Sequence, residues 1–307
     1  HLPVDHTDAG SAALQKMGSG CAAMLVYYHH QGLPDLSTEF AARGCSIFRN
    51  GNAEVRAETD AALPALLRQH EALFPRKPNK EVQAYDGDPA VFLRMALSCL
   101  ADADHGDTAA AFGQTEKAMP ELRPQERLAA LDHYVSKFGE TDERSSLRRE
   151  LYLSCRSAEA HSGFSVCGSP VGSGKTTAVM AHLLEQACKR NARRIFVVLP
   201  YTSIIRQSVD IYRKALVLPG ETPEDVVAEL HSRADFEDIE TRYLTALWRA
   251  PIVVTTAVAF FETLSSHNPA ALRRLHELPG SLIFVDEAHS ALPLRLLPLA
   301  WHWMNVL

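Results

Sequence analysis

Ser169-Pro170-Val171-Gly172-Ser173-Gly174-Lys175-Thr176-Thr177 decides how this chain is read. The short apolar run Phe164-Ser165-Val166-Cys167 precedes it. In the segment that follows, Val179, Met180, Leu183, Leu184, Ala187 and Cys188 share one face at helical spacing. A strand, a glycine-rich turn and a helix in that order are the setting of a phosphate-binding loop. Glycines let successive backbone N–H groups converge on one point, and the N-terminus of the next helix adds positive potential there. In that setting residues 169–177 cradle the phosphates of a nucleotide. Lys175 reaches the β- and γ-phosphates, and the Thr176 hydroxyl ligates Mg²⁺. Ser169 stands where the pattern has Gly or Ala, one small residue for another.

A second motif completes the site. Asp286-Glu287-Ala288-His289 follows Ser281-Leu282-Ile283-Phe284-Val285, an apolar run patterned as a buried strand. The C-terminal ends of strands are where open α/β sheets place their chemistry. Asp286 is expected to hold Mg²⁺, directly or through water. Glu287 is expected to orient and deprotonate the attacking water, and His289 to relay nucleotide state to bound nucleic acid. Lys175, Asp286 and Glu287 then form a catalytic set for in-line attack of water on the γ-phosphate of ATP.

The chain has 307 residues, of which 46% are hydrophobic, enough for about two domains with cores of their own. A net charge of −6 excludes a chain that is basic throughout, and leaves room for a local basic groove. No two of the six cysteines have CxxC spacing, so zinc ribbons and dithiol redox motifs are unsupported. Several sit in apolar surroundings and read as small core residues of a reducing, cytoplasmic compartment. There is no secretory signal and no apolar run long enough to span a bilayer. The chain opens on His1 and stops soon after the acid box, and reads as a fragment without a second motor lobe.

The front of the chain carries different groups. Val4-Asp5-His6-Thr7-Asp8-Ala9-Gly10-Ser11 leads into a helical segment through Met17 to Tyr28. That segment ends in His29-His30-Gln31-Gly32-Leu33-Pro34-Asp35, where Gly32 and Pro34 stop the helix. A later helix over 91–100 runs into Ala101-Asp102-Ala103-Asp104-His105-Gly106-Asp107-Thr108. Three histidines and an aspartate cluster make a candidate metal set, because imidazole nitrogen with carboxylate oxygen suits Mn, Fe, Co, Ni or Zn. The same residues fit three surface histidines and a solvated acidic turn, and spacing leaves both open. If the 91–105 helix packs across the 14–30 helix, it buries Leu14, Met17, Leu25, Phe92, Met95 and Leu100 and brings the polar ends together.

These front motifs, at 5–10, 29–35 and 101–108, resemble the later motifs of the HD nuclease domain in the CRISPR-associated helicase–nuclease family of type I systems. The resemblance continues through Thr256-Ala257-Val258-Ala259-Phe260-Phe261-Glu262 and Leu275-His276-Glu277-Leu278 to the acid box. It implies that His6, His29, His30 and Asp102 bind a divalent transition metal (Mn, Co, Ni or Fe), with Asp104 the second choice of carboxylate. The family's first histidine and its His-Asp dyad would lie upstream of this sequence. The metal site is therefore expected to be partial.

Residues 119–145 are charged and loosely periodic, and read as a linker with a surface helix. Leu147-Arg148-Arg149-Glu150-Leu151-Tyr152-Leu153-Ser154-Cys155 reads as a helix. The resemblance places Arg148 where the family has an arginine near the nucleotide base, and a solvated helix face is the other reading. The strand Ile195-Phe196-Val197-Val198-Leu199 exits into Pro200-Tyr201-Thr202-Ser203-Ile204-Ile205-Arg206-Gln207, and Ile252-Val253-Val254 exits into Thr255-Thr256. Hydroxyls and amides at helix starts suit phosphate contacts, and suit helix capping equally. In superfamily-two helicases, which this half resembles, the two exits hold a single-stranded backbone. That nominates Thr202, Arg206 and Thr256.

The expected architecture is multidomain. A partial all-α HD-type nuclease domain over 1–118 and a linker over 119–145 precede the first RecA-like α/β lobe of a helicase, with a mainly parallel sheet, over 146–307. The resemblance implies an ATP- and Mg²⁺-dependent translocase on single-stranded DNA that is coupled to metal-dependent cleavage. Its partner would be a guide-RNA surveillance complex of the Cascade type, with no membrane involved. Two other readings stay open: a nucleic-acid-dependent ATPase with an inactive helical front domain, and a non-catalytic nucleotide-binding or recruitment module.

Overall fold

The computed structural model describes residues 4–73, 87–113, 118–139, 141–160, 163–170, 172–230 and 248–307. The chain packs as two units: His1–Thr115 with Ser266–His276, and Glu116–Ser265 with Glu277–Leu307.

Every regular element among the first unit's described residues is helical. It comprises α1 (His6–Lys16), α2 (Gly20–Tyr28), α3 (Leu36–Arg43), α4 (Ala53–Leu73), α5 (Pro89–Ala111) and the single turn Pro269–Leu272. The Asp5 carboxylate starts α1 by accepting from the backbone N–H groups of Thr7 and Asp8. Gly18, at φ +78°, separates α1 from α2, so the helix expected through Met17 begins instead at Gly20. Met24, Tyr27, Tyr28 and Phe48 form an apolar cluster. Asp8 is fully buried beside it, held by Arg49 Nε at 2.8 Å and the Asn50 N–H at 2.7 Å.

The expected core of this unit is corrected in phase. Met17 and Phe92 are exposed, and α5 instead buries Val91, Arg94, Leu97, Ser98, Ala101 and Asp102. Half of that stripe is polar. It is satisfied by Ser266–His276, a stretch that belongs to this unit although it lies far along the chain.

The second unit is α/β. Its sheet is parallel, in the order β2 (Val227–Leu230), β3 (Ile252–Thr256), β1 (Arg194–Leu199), β4 (Ser281–Val285). Around it lie α6 (Pro124–Ser136), α7 (Glu143–Ser157), α8 (Lys175–Arg190) and α9 (Thr202–Leu216). Met180, Leu184, Ile195, Val197, Ile205, Leu216, Ile252 and Val254 are among the buried core residues. β4, an outer strand of this sheet beside β1, is half-buried at every position.

Two expectations differ here. The run Phe164-Ser165-Val166-Cys167 forms no strand, and Phe164 and Val166 are exposed. Four residues without a ladder partner leave their backbone groups to solvent, and none of the described strands pairs with them. The stretch 119–145 is no free linker by packing. Leu122, Leu128 and Leu131 enter the α/β core, and Arg127 is fully buried with its guanidinium on both oxygens of Glu221, at 2.8 and 3.0 Å. No helix among the described residues is long and apolar enough to cross a membrane.

Candidate functional site: the phosphate loop, the acid box and a histidine cluster

The phosphate loop closes through two left-handed glycines, Gly172 at φ +81° and Gly174 at φ +83°. A side chain at either would strain the turn that aims the backbone N–H groups. The Ser169 and Ser173 hydroxyls lie 2.9 Å apart across the loop. Pro170 is exposed, and Val171 falls outside the described residues. Lys175 and Thr176 open α8, and the Thr177 hydroxyl donates to the Gly174 carbonyl at 3.1 Å.

β4 delivers the acid box to this loop. The Asp286 N–H donates to the Val198 carbonyl at 2.9 Å, extending the pairing with β1. Lys175 Nζ lies 3.5 Å from Asp286 Oδ1 and 3.8 Å from Glu287 Oε1. Glu287 sits in the left-handed region at φ +48°, a conformation that costs a non-glycine residue about 1 kcal/mol or more. His289 is well exposed, with Nδ1 3.5 Å from Glu287 Oε2. Tyr212 of α9 reaches the same place, its hydroxyl 3.4 Å from the Thr176 carbonyl. Burial, then the Asp286 charge, pushes its ionisation well above the ordinary phenol range, so it remains a neutral donor. No sequence signal marks Tyr212, since packing alone brings it here.

Arg148 lies on the loop itself. Its Nε donates to the Gly172 carbonyl at 3.1 Å, and its alkyl stem covers Gly174. Beside it a cavity of about 480 Å³ opens between α7 and the loop, walled by Leu147, Leu151, Ser154, Ser169 and Pro170. That volume and the mixed lining suit a small organic group.

The two strand exits are neighbours, because Leu199 and Thr256 are opposite each other in the β1–β3 register. Thr202 and Arg206 are exposed one turn apart on α9. Thr256 does not join them as a free hydroxyl. It is buried, and its Oγ1 accepts from the Ala259 N–H at 3.1 Å as the cap of the helix Ala257–Ser265.

In the helical unit, His6, His29 and His30 present ring nitrogens within 4.8 Å of one another. His6 Nε2 is 3.1 Å from His30 Nε2. His29 is buried and its Nδ1 is 2.6 Å from the Val26 carbonyl, which fixes the proton on Nδ1 and leaves Nε2 as the free lone pair. Burial, then the neighbouring His29, holds the His30 imidazole below its ordinary range and so favours its neutral form. Asp104 Oδ2 lies 3.8 Å from His29 Nε2. Asp102, the expected ligand, binds Arg273 at 3.1 Å and faces His276 at 3.6 Å. Two residues turn a helix by about 200°, so Asp102 and Asp104 cannot share a face. Three clustered imidazoles, with a carboxylate beside one of them, form a donor set that a first-row divalent metal fits.

Residues 157–295, which hold both nucleotide motifs, match the family described as DEAD/DEAH box helicase. No curated protein matches the chain. In sheet, loop and acid box, the α/β unit is thus similar to the RecA-like lobe of superfamily-two helicases, a class of domain that uses ATP with Mg²⁺ and works on nucleic acid.

Proposed function

We propose that this chain carries the ATP-binding lobe of a translocase on single-stranded DNA, and that its helical unit holds a divalent transition metal for cutting that strand. The observation that carries the motor reading is the meeting of Lys175 with Asp286 and Glu287. When ATP and Mg²⁺ bind, the metal supplies charge neutralisation at the phosphates. Lys175 would then exchange its carboxylate partners for phosphate oxygens, Thr176 and Asp286 would hold the metal, and Glu287 would take the proton of the attacking water. Thr202 and Arg206, at the C-terminal edge of the sheet, suit a sequence-independent backbone grip.

The nuclease half of the proposal rests on His6, His29, His30 and Asp104, with Mn, Co, Ni or Fe as the fitting metals. Recruitment by a guide-RNA surveillance complex in CRISPR interference rests on the resemblance of the front motifs. The engagement of Asp102 by Arg273 favours a second reading, in which the helical unit is catalytically silent and the protein is a nucleic-acid-dependent ATPase. ATP turnover with and without single-stranded DNA, alongside metal content after mild purification, tests these. Turnover that DNA stimulates, with no retained or titratable metal, selects the second reading. ATP binding without any turnover, with or without DNA, leaves a recruitment module.

A further inference from the structure

We propose that Ser266–His276 is the element that sets the histidine–carboxylate cluster, and that Gly32, Ser98 and Arg273 are its positioning residues. This rests on the metal reading of that cluster. The segment grips both pieces of chain that supply ligands. On one side is the exit of α2, just past His29 and His30. There the Leu33 N–H donates to the His267 carbonyl at 3.1 Å. Gly32 is at φ +94°, and a Cβ on it would stand 2.4 Å from that same carbonyl oxygen. Only glycine permits this approach.

The other side is α5. Arg94 Nε donates to the Ser266 carbonyl at 3.1 Å. The Ser98 hydroxyl donates to the Leu272 carbonyl at 2.5 Å and accepts from the His276 N–H at 3.1 Å. Arg273 binds Asp102. Ser98, His276 and Asp102 are the residue types of a hydrolytic triad, but Ser98 is fully buried and its proton is directed at Leu272. The arrangement is a clasp. Arg94, Ser98 and Asp102 lie on one face of α5, and fixing that face fixes the rotation of the helix. Asp104, about 200° round from Asp102, is thereby turned toward His29. The segment thus acts on the ligands as an outer shell, through the helix rather than by touching a metal.

The test uses the whole chain with Co²⁺ as probe, following affinity and the visible absorption band of the bound ion. Arg273→Ala should weaken Co²⁺ binding about 10-fold or more and alter the band, as removal of outer-shell partners does. Arg273→Lys, which keeps the charge opposite Asp102, should recover most of the affinity. ATP affinity, read in the same samples, should stay unchanged, and far-ultraviolet circular dichroism should show the helices intact. Equal Co²⁺ affinity and an identical band in Arg273→Ala would overturn the proposal and leave the metal reading standing. Failure of the unaltered chain to bind Co²⁺ would sink the metal reading instead. Amide hydrogen exchange at 29–33 and 98–104 then decides: faster exchange in Arg273→Ala, restored by Arg273→Lys, upholds the positioning role, and unchanged exchange removes it.

Discussion

Lys175 Nζ stands 3.5 Å from Asp286 Oδ1, so the phosphate loop's cation faces the first acid of the box across the nucleotide site. Removing the ammonium leaves two carboxylates facing a bound triphosphate without their counter-charge. Lys175→Ala should lower ATP affinity about 10- to 100-fold, the weight of one or two charged hydrogen bonds. Titration calorimetry checks this, and equal affinity in the two proteins would reject the loop as the phosphate site.

Glu287→Gln should separate binding from turnover. The amide still accepts a hydrogen bond from water but cannot take its proton. ATP affinity should be unchanged, while DNA-stimulated phosphate release falls to background. Retained turnover would assign the base to another residue.

The strand exits make opposite predictions for two residues. Arg206 is exposed, and Arg206→Ala should weaken single-stranded DNA and reduce the slope of log affinity against log salt by about 1. Thr256→Ala should instead cost about 1 kcal/mol of stability through the lost cap, with the salt slope untouched. Denaturant unfolding and fluorescence titrations at several salt concentrations read both. A changed slope in Thr256→Ala would restore that hydroxyl to the strand contact.

The α6 clasp on the α/β core should be acid-sensitive. Burial works to raise the Glu221 carboxyl, but hydrogen bonds from Arg127 and the Leu218 N–H outweigh it and hold its ionisation below the ordinary range. A carboxylate depressed in the folded state stabilises above its unfolded value and loses that contribution as pH falls through the folded one. Stability should therefore drop from the ordinary glutamate range downward, and the Glu221→Gln variant should show a flatter acid limb. Arg127→Ala, which strands Glu221 and opens the core, should cost about 3 kcal/mol. Urea unfolding across pH measures both.

The meeting of Lys175 with the acid box was legible because its signals are local. The glycines, Lys175 and the acids after β4 announce themselves by spacing, and a parallel sheet must place them at one edge. What was not legible depended on partners remote in sequence. The face of α5 was misjudged because apolar Phe92 and Met95 look like core, whereas the buried stripe includes Arg94, Ser98 and Asp102. Their partners, at Ser266, Leu272 and Arg273, carry no periodic signal of their own. The different neighbours of Asp102 and Asp104 follow from that phase. The 164–167 run failed for a related reason: an apolar run specifies a strand only where a neighbour supplies the ladder. Arg127 and Leu131 in the supposed linker read as surface because a charged helix hides a buried arginine until Glu221 is seen beside it.

The Ser98 hydroxyl bonds to partners 174 and 178 positions further along the chain. During synthesis, the helical unit emerges first and must wait, since its polar stripe on α5 stays open until His276 has cleared the ribosome. By then α8, β1 and β3 have already been made. The two units are therefore not folded one after the other from the N-terminus. The earlier one can close only after β3 has been made, by a strap that interrupts the later one between β3 and β4. Pairings of such long sequence separation form slowly, and in the interval the exposed face of α5 is where a chaperone or a misfolding contact would take hold.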